Sequence, residues 1–418
     1  MIFNRNVRRL LAATIAGTTL ACAGTFVDPS SPDKARTALP RELTAAEKSV
    51  LSSANAFSFA LWRDLNKSQT STNIFVSPLS ASYALGMALN GANGQTFDEM
   101  RPGLQAGGTS LADIDASYKS LTQLLTTLDP KVTMQIVNSI WYRNTFAFNK
   151  TFLDAGANWF DASINPLDFG NTSASLAAIN GWVNTRTNGK IPAIIDEIHG
   201  DDVMFLINAI YFKGGWRLKF DPNETQNAAF HGVNGDKTVA LMHKMHSQSY
   251  VETPTYQAVD LAYGDSSVTM TVILPKSGSS VEQIAASLDA PNWATLGSSF
   301  HEAYVDLSLP KFSIEWQADL IPNLKSLGMH AAFDPNGTAD FTGMSPAGKQ
   351  LYISLVKQKA FVDVNEEGTE AAAVTAVGIS VTSAPLPVTM RVDRPFLFAI
   401  RERLSGTVLF MGKVVQLP

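Results

Sequence analysis

Cysteine is nearly absent from this chain of 418 residues, which contains only Cys22. A single cysteine cannot form an intramolecular disulfide, so the folded protein must derive its stability from the burial of a core. An excess of one charge is also lacking, since 32 Lys and Arg oppose 37 Asp and Glu and the net charge is −5. The sequence contains no stripe of basic residues that would indicate binding to nucleic acid.

Catalytic and metal-binding motifs are missing as well. The sequence has no H-E-x-x-H, G-x-S-x-G, P-loop or G-x-G-x-x-G pattern, so it provides no evidence for an enzyme and predicts no catalytic residue and no cofactor. His243 and His246 lie three residues apart, a spacing that would suit one turn of a helix, yet no cysteine or Glu-x-x-His motif accompanies them. We therefore predict no metal site there.

The amino terminus has the organisation of a secretory signal. Its positive region carries Arg5, Arg8 and Arg9, and the short apolar run Leu10–Ala21 follows. This run is too short to span a bilayer as a stable anchor. Ala21-Cys22-Ala23 fits the small-x-small rule for signal cleavage, which predicts a signal peptide over residues 1–23 and a mature chain that begins at Gly24.

A second interpretation makes Cys22 the lipidated first residue of a lipoprotein. Leu20-Ala21-Cys22-Ala23 resembles the cleavage box of bacterial lipoproteins, although Thr19 departs from the aliphatic residue usual there. Both interpretations place the protein outside the cytoplasm, either secreted or held at the cell envelope by a lipid. Residues 24–41 include Pro29, Pro32 and Pro40 and predict a flexible tether before the folded domain.

The segment Val362–Pro385 combines a strand-like start with a long run of small residues. Residues 362–365 alternate like a strand, two glutamates and Gly368 follow, and Ala, Thr, Val and Gly dominate the rest. Val, Thr and Ile suit a pleated surface, whereas the scarcity of large apolar groups also permits an exposed loop. The composition therefore leaves an interdomain linker and a potential strand as alternatives.

If residues from Thr369 onward form a strand, its two faces differ in character, because strand side chains alternate. One face is uncharged and becomes more apolar along the chain: Thr369, Ala371, Ala373, Thr375, Val377, Ile379 and Val381. The other face carries the only charge, Glu370. This pattern predicts insertion between two existing strands, with the first face buried, Glu370 in water and Gly368 as a permissive hinge.

The same segment and several distant motifs resemble the serpins, a family of serine protease inhibitors. E-E-G-T-E-A-A-A is similar to the hinge of inhibitory serpins, so the candidate hinge comprises Glu366, Glu367, Gly368, Thr369, Glu370, Ala371, Ala372 and Ala373. Residues 208–220 resemble the family pattern N-x-x-x-F-K-G-x-W…F, and residues 393–415 resemble its C-terminal signature. The likeness covers residues 42–418, with the motifs in the family's order.

This resemblance implies an α+β serpin fold with three β-sheets, about nine α-helices and an exposed reactive-centre loop. It further implies a monomer whose partner is a target serine protease, which is trapped in a covalent acyl complex when the cleaved loop inserts into the main sheet. A serpin-fold binding or chaperone-like protein without inhibitory activity is the alternative.

In serpins the scissile bond usually follows the fourteenth residue after the hinge glycine, which here places it at Thr382-Ser383. Counting back from Pro395 gives Ala384-Pro385 instead, because this loop is two residues longer, and a proline after the bond resists most serine proteases. Val381-Thr382 is the next alternative. Small or β-branched residues at these positions imply a target with a shallow apolar pocket, such as an elastase-like or subtilisin-like enzyme.

The resemblance also assigns residues to the region where the serpin sheet opens: Ser77, Ser80, Asn208, Trp216 and Gln358. Ser77 precedes Pro78, so capping of the following helix is the physical role expected for it. Serpins usually have a histidine at position 358, which bonds the buried asparagine. A glutamine can also donate and accept, so we expect Gln358 to bond Asn208. Trp216 is expected at the top of the sheet, where the loop inserts first.

Overall fold

Several helices of the protein begin at capping residues that are recognisable in the sequence. The computed structural model describes residues 35–370 and 386–418. Thr44 caps the first helix in a capping box with Glu47, and Ser77 caps the second, whose first residue is Pro78. The described residues form nine α-helices: α1 (Ala45–Ser68), α2 (Pro78–Leu89), α3 (Gly94–Gly103), α4 (Leu111–Thr127), α5 (Lys150–Phe160), α6 (Thr172–Arg186), α7 (Val281–Ser287), α8 (Ala290–Ser299) and α9 (Ile321–Ser326).

The strands of the described residues form two hydrogen-bonded networks. In chain order they are β1 (Ile74–Val76), β2 (Val132–Arg143), β3 (Ser163–Leu167), β4 (Met204–Gly215), β5 (Gln226–Gly232), β6 (Gly235–Glu252), β7 (Tyr256–Ala262), β8 (Val268–Pro275), β9 (His301–Pro310), β10 (Phe312–Asp319), β11 (Lys357–Asn365), β12 (Gly368–Thr369), β13 (Val388–Arg391), β14 (Phe396–Glu402) and β15 (Val408–Val414). A six-stranded sheet has the order β10-β11-β12-β4-β2-β3. The remaining nine strands make the second network.

The nine-stranded network consists of two groups of strands that share β6. Residues 235–241 of β6 pair with β5 and residues 241–250 pair with β9, which also carries β13. Residues 249–252 pair with β7, and the order then continues through β8, β14 and β15 to β1. Together with the six-stranded sheet, these groups correspond to the three sheets that the resemblance implied. The α+β fold class is confirmed.

Helix α2 lies inside the molecule because nearly its whole surface is apolar or small. Ala84 is the one residue of α2 that is not fully buried. A β-carbon at Gly86 would lie 2.8 Å from the ring of Tyr118, so glycine permits the close approach of α4. The helix packs against both β4 and β15 and thereby joins the two strand networks.

Helix α6 covers the six-stranded sheet through its own apolar cluster. Ile179 and Val183 on α6 are completely buried against Trp141 of β2 and against Phe205 and Ile207 of β4. Burial of several large side chains is worth a few kcal/mol each, which is enough to hold a helix on a sheet. The residues that follow α6 therefore have a defined position above the sheet.

The described residues contain neither a metal-ligand cluster nor a helix long and apolar enough to span a membrane. His243 and His246 both lie on β6, so the helical spacing considered for them was wrong, and residues three apart on a strand point to opposite faces. His243 contacts Glu224 at 3.1 Å and Asp306 at 2.9 Å, whereas His246 contacts the carbonyl of Ser247.

Candidate functional site

Gly368 and Thr369 form β12, a two-residue strand between the ends of β11 and β4. Its cross-strand partners are Val364 and Asn365 on β11, and Gly214 and Gly215 on β4. Both pairings are antiparallel. The chain therefore reverses after β11 and begins a new central strand in the six-stranded sheet. We call residues 365–370 the hinge turn.

Gly368 is required in the hinge turn by the lack of space around it. A β-carbon at this position would lie 2.1 Å from the carbonyl oxygen of Gly214 and 2.7 Å from the Cα atom of Gly215. Its φ angle of +150° also lies in a region that residues with side chains rarely adopt. A side chain at position 368 would have to displace the backbone of β4.

Thr369 lies on the buried face, as the alternation predicts, and is only 2% exposed. Its hydroxyl lies 2.7 Å from the phenol oxygen of Tyr263, and the Tyr263 ring stacks on Trp216 with 4.4 Å between centroids. Burial raises the pKa of the Tyr263 phenol, although the bond to Thr369 opposes this shift. The phenol stays protonated and can donate to the threonine.

Trp216 holds the hinge turn through its backbone and its ring. Its backbone N–H donates to the carbonyl of Glu367 at 2.8 Å, and its indole N–H donates to the carbonyl of Asn365 at 2.9 Å. The next contact along the chain is the N–H of Phe220, which donates to the carbonyl of Glu366 at 3.0 Å. These three bonds fix the reversal beside the end of β4, whereas the role of Trp216 where the loop inserts first stays a prediction.

The carboxylate of Glu366 is bound by a cation and a hydroxyl. Lys311 lies 2.9 Å from one of its oxygens, and the hydroxyl of Thr225 donates to the other at 2.9 Å. Burial by itself would raise the pKa of Glu366, but the hydrogen bonds from Lys311, the backbone and Thr225 outweigh it and lower the pKa. The carboxylate is therefore ionised at neutral pH and anchors the first residue of the hinge.

Glu370 does not extend into water, and the prediction of an exposed side chain was wrong. Its side chain is only 6% exposed, and its carboxylate lies 3.7 Å from the ammonium of Lys190. Burial raises its pKa, an effect that Tyr211 and Lys190 partly oppose. The alternation correctly placed Glu370 on the face opposite Thr369, but the chain that follows α6 covers this face.

Four polar residues meet lower in the sheet, between α2 and the strands: Ser77, Ser80, Asn208 and Gln358. Both amide atoms of Gln358 bond the backbone of Ser77, its oxygen at 3.1 Å from the N–H and its nitrogen at 2.8 Å from the carbonyl. The prediction that Gln358 bonds Asn208 was therefore wrong. Asn208 instead accepts from the hydroxyl of Ser80 and donates to Asn138 at 2.6 Å. We call these contacts the lower polar cluster.

Ser77 has the capping role expected from its place before Pro78. Its side-chain oxygen accepts from the N–H of Ser80 at 3.3 Å, and its hydroxyl donates to the carbonyl of Leu409 at 2.8 Å. The residue is 2% exposed, and all of these contacts are structural. Its side chain therefore links α2 to β15 while its backbone binds β11.

A cavity of 320 Å³ lies beside the lower polar cluster. It is bounded by α2, by the first half of β4 and by the segment that leads into β11, and its lining includes Ser80, Asn208 and Gln358. The sheet order passes from β11 through β12 to β4. A longer β12, antiparallel to both neighbours, would run from Gly214 toward this cavity.

Several predicted site residues lie outside the described residues: Cys22, Ala371, Ala372, Ala373, Val381, Thr382, Ser383 and Ala384. Three contributors were missed by the sequence analysis, namely Tyr263, Lys311 and Lys190. No local pattern marks them, because each contacts a hinge residue more than fifty positions away.

The sequence is similar to those of known proteins over most of its length. The family model described as Serpin (serine protease inhibitor) matches residues 52–417. Serpin B11 of Homo sapiens is 34% identical over 394 residues, covering 88% of this chain and 99% of that protein. The leukocyte elastase inhibitor of Sus scrofa is 35% identical over 378 residues, covering 87% of this chain and 98% of that protein.

A solved structure extends the similarity to three dimensions. The thermophilic serpin tengpin in its native state superposes with a TM-score of 0.81 at 32% identity, covering 92% of this chain and 97% of that chain. The family match, the identity to full-length relatives and the shared fold all span most of the sequence. The chain therefore belongs to the serpin family.

Proposed function

We propose that this serpin inhibits serine proteases as an irreversible suicide substrate. The observation that carries the proposal is β12, because Gly368 and Thr369 already occupy the place of a central strand between β11 and β4. A strand that has started there can lengthen in the same register once the loop behind it is cut. Insertion would then add a full strand to the six-stranded sheet.

The polar residues in the sheet support insertion in this register. Continuing the pairing of β12 past Thr369 would bring position 375 opposite both Gln358 on β11 and Asn208 on β4. The residue at that position is Thr375, on the same face as Thr369. A hydroxyl would therefore meet the lower polar cluster, and the small residues Ala371 and Ala373 would pass through the part of the gap above it.

The proposed chemistry begins as ordinary proteolysis. The protease serine oxygen attacks the carbonyl carbon of Thr382, the C–N bond to Ser383 breaks, and the proton taken from the serine is delivered to the leaving amine. The product is an ester between the protease and Thr382. Insertion of the freed segment then displaces the tethered protease and distorts its site before water can hydrolyse the ester.

The free energy available from insertion is sufficient for such a distortion. About a dozen new residues would each contribute about 0.5–1.5 kcal/mol through strand hydrogen bonds. Burial of the face from Thr369 to Val381 adds about 25 cal/mol per Å². A total above ~10 kcal/mol equals the stability of an ordinary domain. The native form is then held short of its most stable state.

The proposed target has a shallow apolar specificity pocket. Val381, Thr382 and Ala384 are all small or β-branched, and trypsin-like enzymes would require Arg or Lys at the cleaved bond. Elastase-like or subtilisin-like proteases fit this requirement. Similarity to the leukocyte elastase inhibitor of Sus scrofa supports the same class.

The direct test is incubation of the purified protein with pancreatic elastase. We expect an SDS-stable complex of protease and serpin, and mass spectrometry of the released peptide should identify Ser383 as its first residue. Cleaved protein should also melt at a sharply higher temperature, since insertion completes the sheet. Clean cleavage without a complex and without a thermal shift would contradict inhibition and favour a serpin-fold binding or chaperone-like protein.

We also propose that residues 1–23 direct the protein out of the cytoplasm. The support is the arginine-rich start followed by the short apolar run. Intact-mass measurement of the exported protein distinguishes the two forms. A mature chain that begins at Gly24 indicates a secreted protein, whereas a lipid-modified Cys22 indicates a cell-envelope lipoprotein. A protein found only inside the cells, with its chain still beginning at Met1, would contradict export.

A further inference from the structure

The turn that follows α6 positions a lysine directly above the hinge. Asn188 and Gly189 both have positive φ angles, +51° and +81°. The N–H of Gly189 donates to the carbonyl of Asn184 at 2.8 Å, and the N–H of Lys190 donates to that of Thr187 at 3.0 Å. Because Ile179 and Val183 fix α6 on the sheet, this turn holds the Lys190 backbone at a defined place.

The Lys190 side chain lies between β11 and the hinge turn. Its ammonium lies 4.7 Å from the centre of the Phe361 ring on β11 and 3.7 Å from the carboxylate of Glu370. Tyr211 of β4 also interacts with Glu370 and with the side chain of Asn188. Glu370 thus faces a cation and a phenol contributed by the α6 turn and by β4, and Asp363 is the like charge nearby.

The hinge turn needs such a contact because β12 is very short. Two residues of strand pairing contribute little stability of their own. Glu370 has a φ angle of +55°, a left-handed conformation that is strained for a residue with a side chain. Its N–H donates to the carbonyl of Asp363 at 3.1 Å. Desolvation of the carboxylate is a further cost, and Lys190 is the cation that offsets it.

We propose that Lys190 and Tyr211 are positioning residues that receive Glu370 and hold Gly368 and Thr369 in the sheet before the loop is cleaved. Insertion after cleavage would then proceed from a strand that is already started. This consequence for inhibition rests on the proposed function, whereas the holding contact itself does not. The acidic residue at position 370 is thereby recognised by the α6 turn.

Native-state hydrogen exchange of the whole protein tests the holding contact. In the Lys190→Gln variant, Glu370 stays buried without its cation, so we expect the amides of residues 368–370 to exchange about two- to fivefold faster. Adding Glu370→Gln removes the charge that must be desolvated, and protection should return in the double variant. Lys213→Gln is the matched control, because Lys213 lines one surface pocket together with Lys190 and Glu370 but has no ion pair to Glu370 in the described residues.

Two results would overturn the proposal: unchanged exchange in Lys190→Gln, or faster exchange that the double variant does not reverse. Unchanged exchange of β14 amides verifies that the variants are folded. With elastase, Lys190→Gln should also raise the fraction of protein that is cleaved without forming a complex. If the wild-type protein forms no complex, the proposed function fails, and hydrogen exchange still decides the role of Lys190.

Discussion

The two ends of the gap between β4 and β11 are stabilised by different kinds of contact. At the upper end, carbonyls of the hinge turn accept hydrogen bonds from Trp216 and Phe220, Glu366 pairs with Lys311, and no space is left for a side chain at position 368. At the lower end, the neutral amides and hydroxyls of the lower polar cluster adjoin a cavity of 320 Å³. The upper contacts specify one arrangement of chain, whereas the lower groups can exchange partners.

Under the proposed function, this difference would let the sheet accept a strand from one end. Charged and sterically constrained contacts would act where the inserting strand begins, because the register must be set there. The neutral side chains of Gln358 and Asn208 can both donate and accept hydrogen bonds. They bond Ser77, Ser80 and Asn138 in the native form, and under the proposed function they could bond an inserted strand in the cleaved form. The predictions below separate the contributions of the two ends.

The largest effect is expected from Gly368→Val. Its side chain would collide with the backbone at Gly214, and overpacking of this kind costs about 1–3 kcal/mol. We expect loss of β12 pairing and a fall of about tenfold in the yield of elastase complex, since about 1.4 kcal/mol corresponds to a factor of ten. Gly181→Ala on α6, with no atom within 4 Å of its added carbon, is the control. Equal complex yields for both variants would show that the upper end is not sterically specified.

Gln358→Met tests the lower end. The variant keeps a similar volume but removes the acceptor for the buried N–H of Ser77, at a cost of about 1–3 kcal/mol. Thermal unfolding should show a lower midpoint, while the exchange rates of the hinge amides stay unchanged. Gln350→Met, on an exposed residue beside the same cavity, should leave the midpoint near that of the wild type. A midpoint unaffected by Gln358→Met would mean that the amide contributes nothing to the stability of the native form.

Glu366→Gln measures how much the ion pair with Lys311 contributes to the stability of the upper end. Lys311 is 41% exposed, which limits the ion pair, so we expect a loss of about 1 kcal/mol in the free energy of unfolding. Urea titration at pH 7 measures it, with the exposed Glu42→Gln as the control. If Glu366→Gln lowers the free energy of unfolding no more than the control does, the hinge turn is stabilised by its backbone contacts and not by the ion pair.

The smallest effect concerns pH. The pKa of Glu366 is lowered below its ordinary value of 4.5, so its ionised form stabilises the folded state above that value. The contribution is lost as the pH falls from 4.5 through the folded-state pKa. We therefore expect the stability difference between wild type and Glu366→Gln to shrink when urea titrations are repeated at pH 5, 4 and 3. A difference that stays constant over this range would exclude ionisation of Glu366 as its cause.

Local signals predicted the parts of the fold that depend on neighbouring residues. Ser77 and Pro78 predicted the start of α2, and the alternation after Gly368 predicted that Thr369 lies on the buried face. The partner of Gln358 could not be predicted in this way, because the backbone of Ser77 and the side chain of Asn208 both lie within the same small region. Which of them an amide bonds depends on side-chain geometry that is set by α2 and its packing.

The sequence by itself determined the family, the position of the hinge glycine and the burial of Thr369 that follows it. These properties depend on backbone conformation and on side-chain alternation, which act over a few residues. Only the tertiary structure decided that Glu370 is covered, that Lys311 neutralises Glu366 and that Lys190 lies above the hinge. Such contacts join residues far apart in the chain, and they exist only after the packing of α6 and the sheets has brought them together.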